Sequence, residues 1–588
     1  MIKKQEAFDI IVIGSGGAGL RAAVGAANKG AKTLIISKGK VNRSGATLLA
    51  GANISADIAL DGKSMHEMGI SDINKNDSKE AWFEDTLHEG FYLNNEELVK
   101  VFVDTAADRV KELVDWGLVV RGIEGERGIS VFGSDILDVL LKKAKSLGVE
   151  ILEDTIFTDL VVEDGNVKGV ICLDLLEGTV KYIPSKAVVL ATGGAHNIFS
   201  NNSGGTDLCG EGQAAALRAG AELVDMEMIS FCPTVMVYPD MYKGNILPYI
   251  FTSFGVATLK NRFGATFTDK YLSKDVERLA LDTEWNKMLL SYAIQSEINS
   301  ENSTMHGGVY CVLNDRPTNV KDELYNALPS LSTGIYADLM KLFEGGKGVC
   351  VAPSAHYFEG GIKIDSNMAT NIKGLYAAGE CTGGLFGANR VSAATTEMLV
   401  EGAVAGDNAW EYVSTIHFEE ASQNTIEYLA NDIFAPFKNN DGYKSSDLIK
   451  ELHKATTESL YVIRNNDDLS KSLEDVIELK NNKLHNINVK NKSYKYNREW
   501  LEYLELRNMI PVASAILKSA LLRKESRGVH IRKDYLYTDN DNFLKNIVIE
   551  NENLDYRLED VKNSKAVNEN GRIDYSEYVE KVVERLSI

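Results

Sequence analysis

Three groups of residues in this chain have the types and spacing to do chemistry. The first is Gly14-Ser15-Gly16-Gly17-Ala18-Gly19, a G-x-G-x-x-G turn between the apolar run 8–13 and the Ala-rich stretch 20–27. Gly30 closes that stretch, and a second apolar run follows at 32–37. Strand, glycine turn, helix and strand within about 30 residues predict a dinucleotide-binding unit. Gly14 permits the turn, Gly16 lets bare backbone approach a pyrophosphate, and Gly19 lets helix and strand pack closely. The pyrophosphate lies at the helix N-terminus, where unpaired N–H groups and the helix dipole favour negative charge. Ser37 stands where an acidic ribose partner is usual, and its hydroxyl can still bond a ribose. The second group is Gly379-Glu380 at the end of a short apolar run, a carboxylate placed to accept hydrogen bonds from sugar-like hydroxyls. The third is a scarce histidine and an arginine, each beside a glycine-rich turn. Histidine is scarce, nine in 588 residues, and His356 precedes a Gly360-Gly361 turn. Arg390 follows another glycine-rich turn, and its planar fork suits bidentate capture of a carboxylate or similar oxyanion.

Several elements must position these groups. The stretch 78–118 reads as helical. Residues 154–194 read as a small antiparallel meander, broken at Asp164-Gly165-Asn166 and Glu177-Gly178, that returns to the main sheet. The pattern from 236 to 345 is irregular, as an insertion would be, and beyond about 410 the chain is helical and charged. With 63 Lys and Arg against 84 Asp and Glu the net charge is −21, which disfavours nucleic acid and anionic lipid as partners. Six cysteines form no C-x-x-C pair and no zinc or iron–sulfur spacing, so no metal is expected and a reducing cytoplasm is. No run approaches the ~18 apolar residues of a membrane span, and the N-terminus enters a strand without a signal-like segment.

Collinear motifs across nearly the whole chain resemble the flavoprotein subunits of succinate dehydrogenase and fumarate reductase, a family that includes L-aspartate oxidase and the adenylylsulfate reductase alpha subunit. These are Ser37-Lys38 with Arg43-Ser44-Gly45, Ala191-Thr192-Gly193-Gly194, Gly210-Glu211-Gly212, His356-Tyr357 with Gly360-Gly361, Ala378-Gly379-Glu380, and Gly387-Ala388-Asn389-Arg390. Glu505 to Met509 and Arg523 to His530 are similar to its C-terminal domain. The resemblance implies an α/β fold. A Rossmann-like FAD-binding domain (1–235 and 346–412) would hold an inserted α+β capping domain (236–345), with a helical domain at 413–588. It implies FAD held by Gly14, Gly16, Gly17, Ala18, Gly19, Ser37, Lys38, Arg43, Ser44, Gly45, Ala46, Gly51, Ala191, Thr192, Gly193, Gly194, Glu211, Gly379, Glu380, Thr395 and Thr396. The small residues of 43–52 would let backbone pack on the flavin ring. A small anionic substrate would sit against His356 and Arg390, and an iron–sulfur or ferredoxin-like partner would exchange electrons.

Three positions depart from the family pattern. Gly45 stands where the family's dehydrogenases carry a histidine bonded to FAD, so the flavin is expected to be non-covalent. Cys232, in Phe231-Cys232-Pro233-Thr234, stands where a histidine helps to hold a dicarboxylate. Ser253 aligns with the arginine that donates a proton to the alkene, which predicts slow fumarate reduction or a donor moved to Arg262, Arg127 or Arg121. The reaction expected is transfer of a hydride or electron pair between FAD and a small anion. The alternatives are a sulfur oxyanion as substrate, and a non-catalytic electron-transfer role.

Overall fold

The computed structural model describes residues 2–55, 78–120, 122–124, 127–247, 257–282, 285–314, 348–391, 393–561 and 571–585. Strand β1 (Phe8–Ile13) is buried almost throughout, as a parallel strand covered on both faces must be. It turns at Gly14 into α1 (Gly17–Asn28), and β2 (Thr33–Ile36) pairs parallel beside it, with Ile10 opposite Thr33. Helix α2 (Lys79–Glu89) is capped by the Ser78 hydroxyl on Ala81 N. Strand β3 (Glu150–Leu152) extends the parallel sheet beyond β2.

The meander is present: β4 (Thr155–Glu163), β5 (Asn166–Asp174) and β6 (Thr179–Leu190) pair antiparallel in turn. Strand β6 then changes partners. Up to Pro184 it pairs with β5; from Ser185 it runs parallel to β1. Proline has no N–H to give a ladder, so the switch falls where one bond is lost anyway. Helix α3 (Glu211–Arg218) leads to the short β7 (Leu223–Val224) and the long β8 (Ile229–Tyr238).

Strands β9 (Ala257–Lys260), β10 (Val309–Leu313) and β11 (Val349–Phe358) join β8 in an antiparallel sheet of order β8-β11-β10-β9. Helix α4 (Asn286–Glu297) lies on this sheet, where Ser291 Oγ donates to the Phe231 carbonyl at 2.9 Å. The outgoing β8 and the returning β11 are direct partners, so His356 comes back beside Ser230 and Phe231. Strand β12 (Leu375–Ala377) then pairs parallel with β6 and leads into Gly379-Glu380.

Helix α5 (Ala394–Thr415) crosses α1 at close range. A Cβ on Gly402 would lie 2.6 Å from the Ala18 carbonyl, and one on Gly406 2.2 Å from that of Ala22. The C-terminal region is dominated by α6 (Arg498–Leu522), buried along most of its length. It is not purely helical: β13 (Lys545–Ile549) pairs with β7, and β14 (Tyr556–Asp560) with β13. Arg507 holds Asp159 of β4 with both terminal nitrogens, at 3.0 and 3.1 Å, which fixes α6 to the meander.

Candidate functional site

The glycine turn divides its labour. A Cβ on Gly14, at φ +109°, would stand 2.1 Å from the Ala191 carbonyl oxygen, and one on Gly19 2.0 Å from that of Gly14. These two glycines serve close packing of α1, β1 and β6. Gly17 faces Met398, whose sulfur would be 2.1 Å from a Cβ. Gly16 differs: its Cβ would meet nothing nearer than Thr47 Oγ1 at 3.5 Å. It also sits at the N-terminus of α1, which has no side-chain cap and no acidic residue in its first turn. Bare backbone, open space and a helix dipole together fit a pyrophosphate. Ser15 and Ser37 hydroxyls lie 2.7 Å apart and buried, which fits a ribose. FAD therefore fits the residues present.

The rest of the expected cofactor set spreads along this line. Gly45, at φ +83°, gives its N–H to Asp207 at 3.1 Å and starts the short helix of Ala46. Ser44 bonds the Lys40 carbonyl, and Gly51 pairs with Phe132. Arg43 is exposed, with Nη1 donating to its neighbour Asn42. Thr192 Oγ1 accepts from Gly212 N, and the Gly193 carbonyl from Gln213. Gly194 packs on Glu380 and Phe358. Gly379 donates to Glu401, while Thr395 and Thr396 are buried in the first turn of α5. Lys38 and Glu211 are paired at 2.7 Å, and Lys38 also meets Glu505 of α6 at 2.6 Å. That pair ties α6 to α3 and the loop after β2.

The two residues of the expected anion clamp lie in one buried region. His356, on β11, has Nδ1 2.7 Å from Ser203 Oγ, and its carbonyl is met by His196 Nε2 at 2.8 Å. Burial, then the charges of Arg390, Lys287 and His196, hold the His356 imidazole well below its usual pKa, so it is neutral at neutral pH. Arg390 is 5% exposed and its guanidinium lies over the Tyr357 ring at 4.0 Å. Among the described residues it has no carboxylate within salt-bridge distance, and its Nε has no hydrogen-bond partner. A buried guanidinium without a counter-anion is costly unless a ligand supplies one. Tyr357 is held in turn by its hydroxyl on Glu397. Burial lifts the Glu359 carboxyl to about 7 and raises that of Glu380, so neither is an ordinary counter-charge for Arg390.

The loop carrying Arg390 is supported from behind. Ala388 N donates to the Gly90 carbonyl, and Val529 N donates to the Ala388 carbonyl. Arg527 holds Glu525, Asn540 and the Phe91 carbonyl, and His530 sits against Arg464 at 2.9 Å. Both are fully buried and structural. Of the proposed relocated donors, Arg127 is paired with Asp85 at 2.8 Å and Arg262 lies over the exposed Phe263 ring. Ser253 and Arg121 lie outside the described residues.

Four further side chains contribute here: His196, which the sequence placed just past the flavin strand with no role assigned, and three that sequence reasoning missed. His196 bridges the His356 carbonyl and Glu380, 3.4 Å away. Tyr357 stood inside a recognised motif without an assigned role. Thr47 borders the Gly16 surface from the small-residue loop. Lys287, 3% exposed in the first turn of α4, donates to the carbonyl of Val391, next to Arg390, at 3.0 Å. A lysine in a helical stretch reads as solvated, so no local signal marked it.

Comparison with known proteins agrees with this geometry. The family model described as "FAD binding domain" matches residues 9–133 and 122–396, and "Fumarate reductase flavoprotein C-term" matches 449–574. A CoM/CoB fumarate reductase chain of Methanothermobacter marburgensis is 30% identical over 547 residues, covering 90% of this chain and 94% of its own. A point mutant of the Escherichia coli quinol fumarate reductase superposes with TM-score 0.82 at 28% identity, covering 96% of this chain and 98% of that one. The adenylylsulfate reductase of Archaeoglobus fulgidus shares the fold, with TM-score 0.77 at 19% identity and coverage of 96% and 97%. This chain belongs to the fumarate reductase flavoprotein family and is an FAD-dependent oxidoreductase.

Proposed function

We propose that the chain is a catalytic flavoprotein subunit that exchanges an electron pair with a small dicarboxylate of fumarate or succinate size. The observation that carries this is Arg390, a buried guanidinium with no carboxylate partner among the described residues, stacked on Tyr357 beside a neutral His356. Bound FAD supplies the hydride chemistry. The chain's own part is to bind and orient. Arg390 takes one carboxylate with its planar fork. Tyr357, held by Glu397, sets the plane of that fork. Neutral His356, fixed by Ser203, offers a ring nitrogen to the substrate without adding charge. Phe358, Phe199 and Phe231 form an aromatic wall that keeps water out.

FAD would lie along Gly16, Ser15 and Ser37 toward Gly193, Gly194 and Glu380. The division at 1–235, 236–345, 346–412 and 413–588 is part of this proposal. So is an iron–sulfur or ferredoxin-like electron partner, because the described cysteines are single and buried. Those free thiols also support a reducing cytoplasm. Among the described residues no helix is long and apolar enough to cross a membrane. Rapid mixing of the reduced protein with fumarate, other unsaturated acids and sulfur oxyanions tests the reading, with flavin reoxidation as signal. Reoxidation by a C4 dicarboxylate is expected; reoxidation by a sulfur oxyanion alone would replace it.

A further inference from the structure

Resting on that reading, we propose that Lys287 is a second cationic anchor of the substrate site, taking the carboxylate that Arg390 does not. Several independent observations place it there. Lysine is almost never fully buried unless paired, and Lys287 is 3% exposed, within electrostatic reach of a Glu89 carboxyl that burial lifts to about 8. Its Nζ bonds the carbonyl of Val391, so its ammonium lies at the Arg390 loop. Its side chain lines a cavity of about 10 Å³, enough for one water, with Phe231, Met288, Val462, Val529 and Ile531. Val529 in that lining donates its N–H to the Ala388 carbonyl, two residues before Arg390.

The helix holds Lys287 in that place. One turn later Ser291 Oγ is bonded to the Phe231 carbonyl, which locks the face of α4 onto β8. Residue 232 is a buried thiol and a weak donor, so it cannot hold a carboxylate as an imidazole would. A cation on the adjacent helix fills that role. His356 feels the charges of Arg390, Lys287 and His196, so both cations lie within electrostatic reach of its neutral ring. Two buried positive charges about a neutral hydrogen-bonding group form a receptor for a dianion and discriminate against a monoanion of equal length.

The test uses the FAD-loaded protein and two ligands of equal length, succinate and butyrate. Dissociation constants are read by calorimetry and by the change in flavin absorbance. The wild type is expected to prefer succinate. Lys287→Met should weaken succinate binding about 30–150-fold and change butyrate binding less than about threefold. Lys287→Arg, which keeps the charge, should restore most of the succinate affinity. If the methionine variant loses its flavin, Lys287→Gln is read in its place, since it keeps a donor and removes the charge. Succinate bound by the neutral variant within threefold of wild type overturns the role of Lys287 and leaves the dicarboxylate reading standing. A wild type that does not distinguish succinate from butyrate overturns both.

Discussion

Replacing Gly14 and Gly16 separately by alanine distinguishes a glycine kept for packing from one kept for the cofactor. At Gly14 the new Cβ would lie 2.1 Å from the Ala191 oxygen and 2.8 Å from its carbonyl carbon, at φ +109°. Neither neighbour can yield, because Ala191 N is bonded to the Ile13 carbonyl in the parallel ladder. Overpacking costs about 1–3 kcal/mol, and a non-glycine residue forced into that backbone region about 1–3 more. The sum, roughly 2–6 kcal/mol, is a large share of the ~5–15 kcal/mol that keeps a typical domain folded. At Gly16 the backbone, φ −71° and ψ −173°, suits alanine, and the nearest atom is 3.5 Å away. The apoprotein should therefore change by no more than about 0.5 kcal/mol. The methyl would instead occupy the approach of the pyrophosphate and cost one charge-assisted contact, about 2–3 kcal/mol or 30–150-fold in FAD affinity. Urea unfolding of the apoproteins and quenching of FAD fluorescence measure the two effects. Gly16→Ala apoprotein as unstable as Gly14→Ala, or Gly16→Ala binding FAD like wild type, would refute the division of labour.

Arg390→Lys should lower turnover of the substrate about 30–150-fold with the flavin spectrum unchanged, since lysine keeps the charge and loses the fork; unchanged kcat/KM would remove the clamp. Burial lifts the Glu401 carboxyl to about 7, against about 4.5 unfolded, so the folded state binds the extra proton between those values. That contribution is complete below about pH 4.5 and lost as pH rises through 7, and Glu401→Gln should show a flatter fall of stability from pH 5 to 8. Parallel pH profiles for the two proteins would contradict this. Acid precipitation should release the yellow colour to the supernatant, because Gly45 has no nucleophilic side chain to bond the flavin; colour retained in the pellet would show a covalent link elsewhere.

Much of this was legible in the residues themselves. The β1–α1–β2 unit, the antiparallel meander at 154–194 and the glycine turn follow from local patterns: continuous apolar runs, turn residues and glycine spacing. Those patterns depend on interactions within about 30 residues, which a sequence displays directly. His356 and Arg390 were legible for a related reason, since each sits in a short glycine-bearing motif that the sequence displays directly. The close approach of Ala191 to Gly14 was not, because it depends on two residues distant in the chain being brought together. Nor was Lys287. Its burial and its place beside Arg390 arise only when β8 and β11 pair and α4 packs across them, bringing residues 231, 287 and 391 together. A lysine carries the same symbol on a solvated face and in a buried site. Only the tertiary structure decides which, because it alone sets whether water or protein surrounds the ammonium.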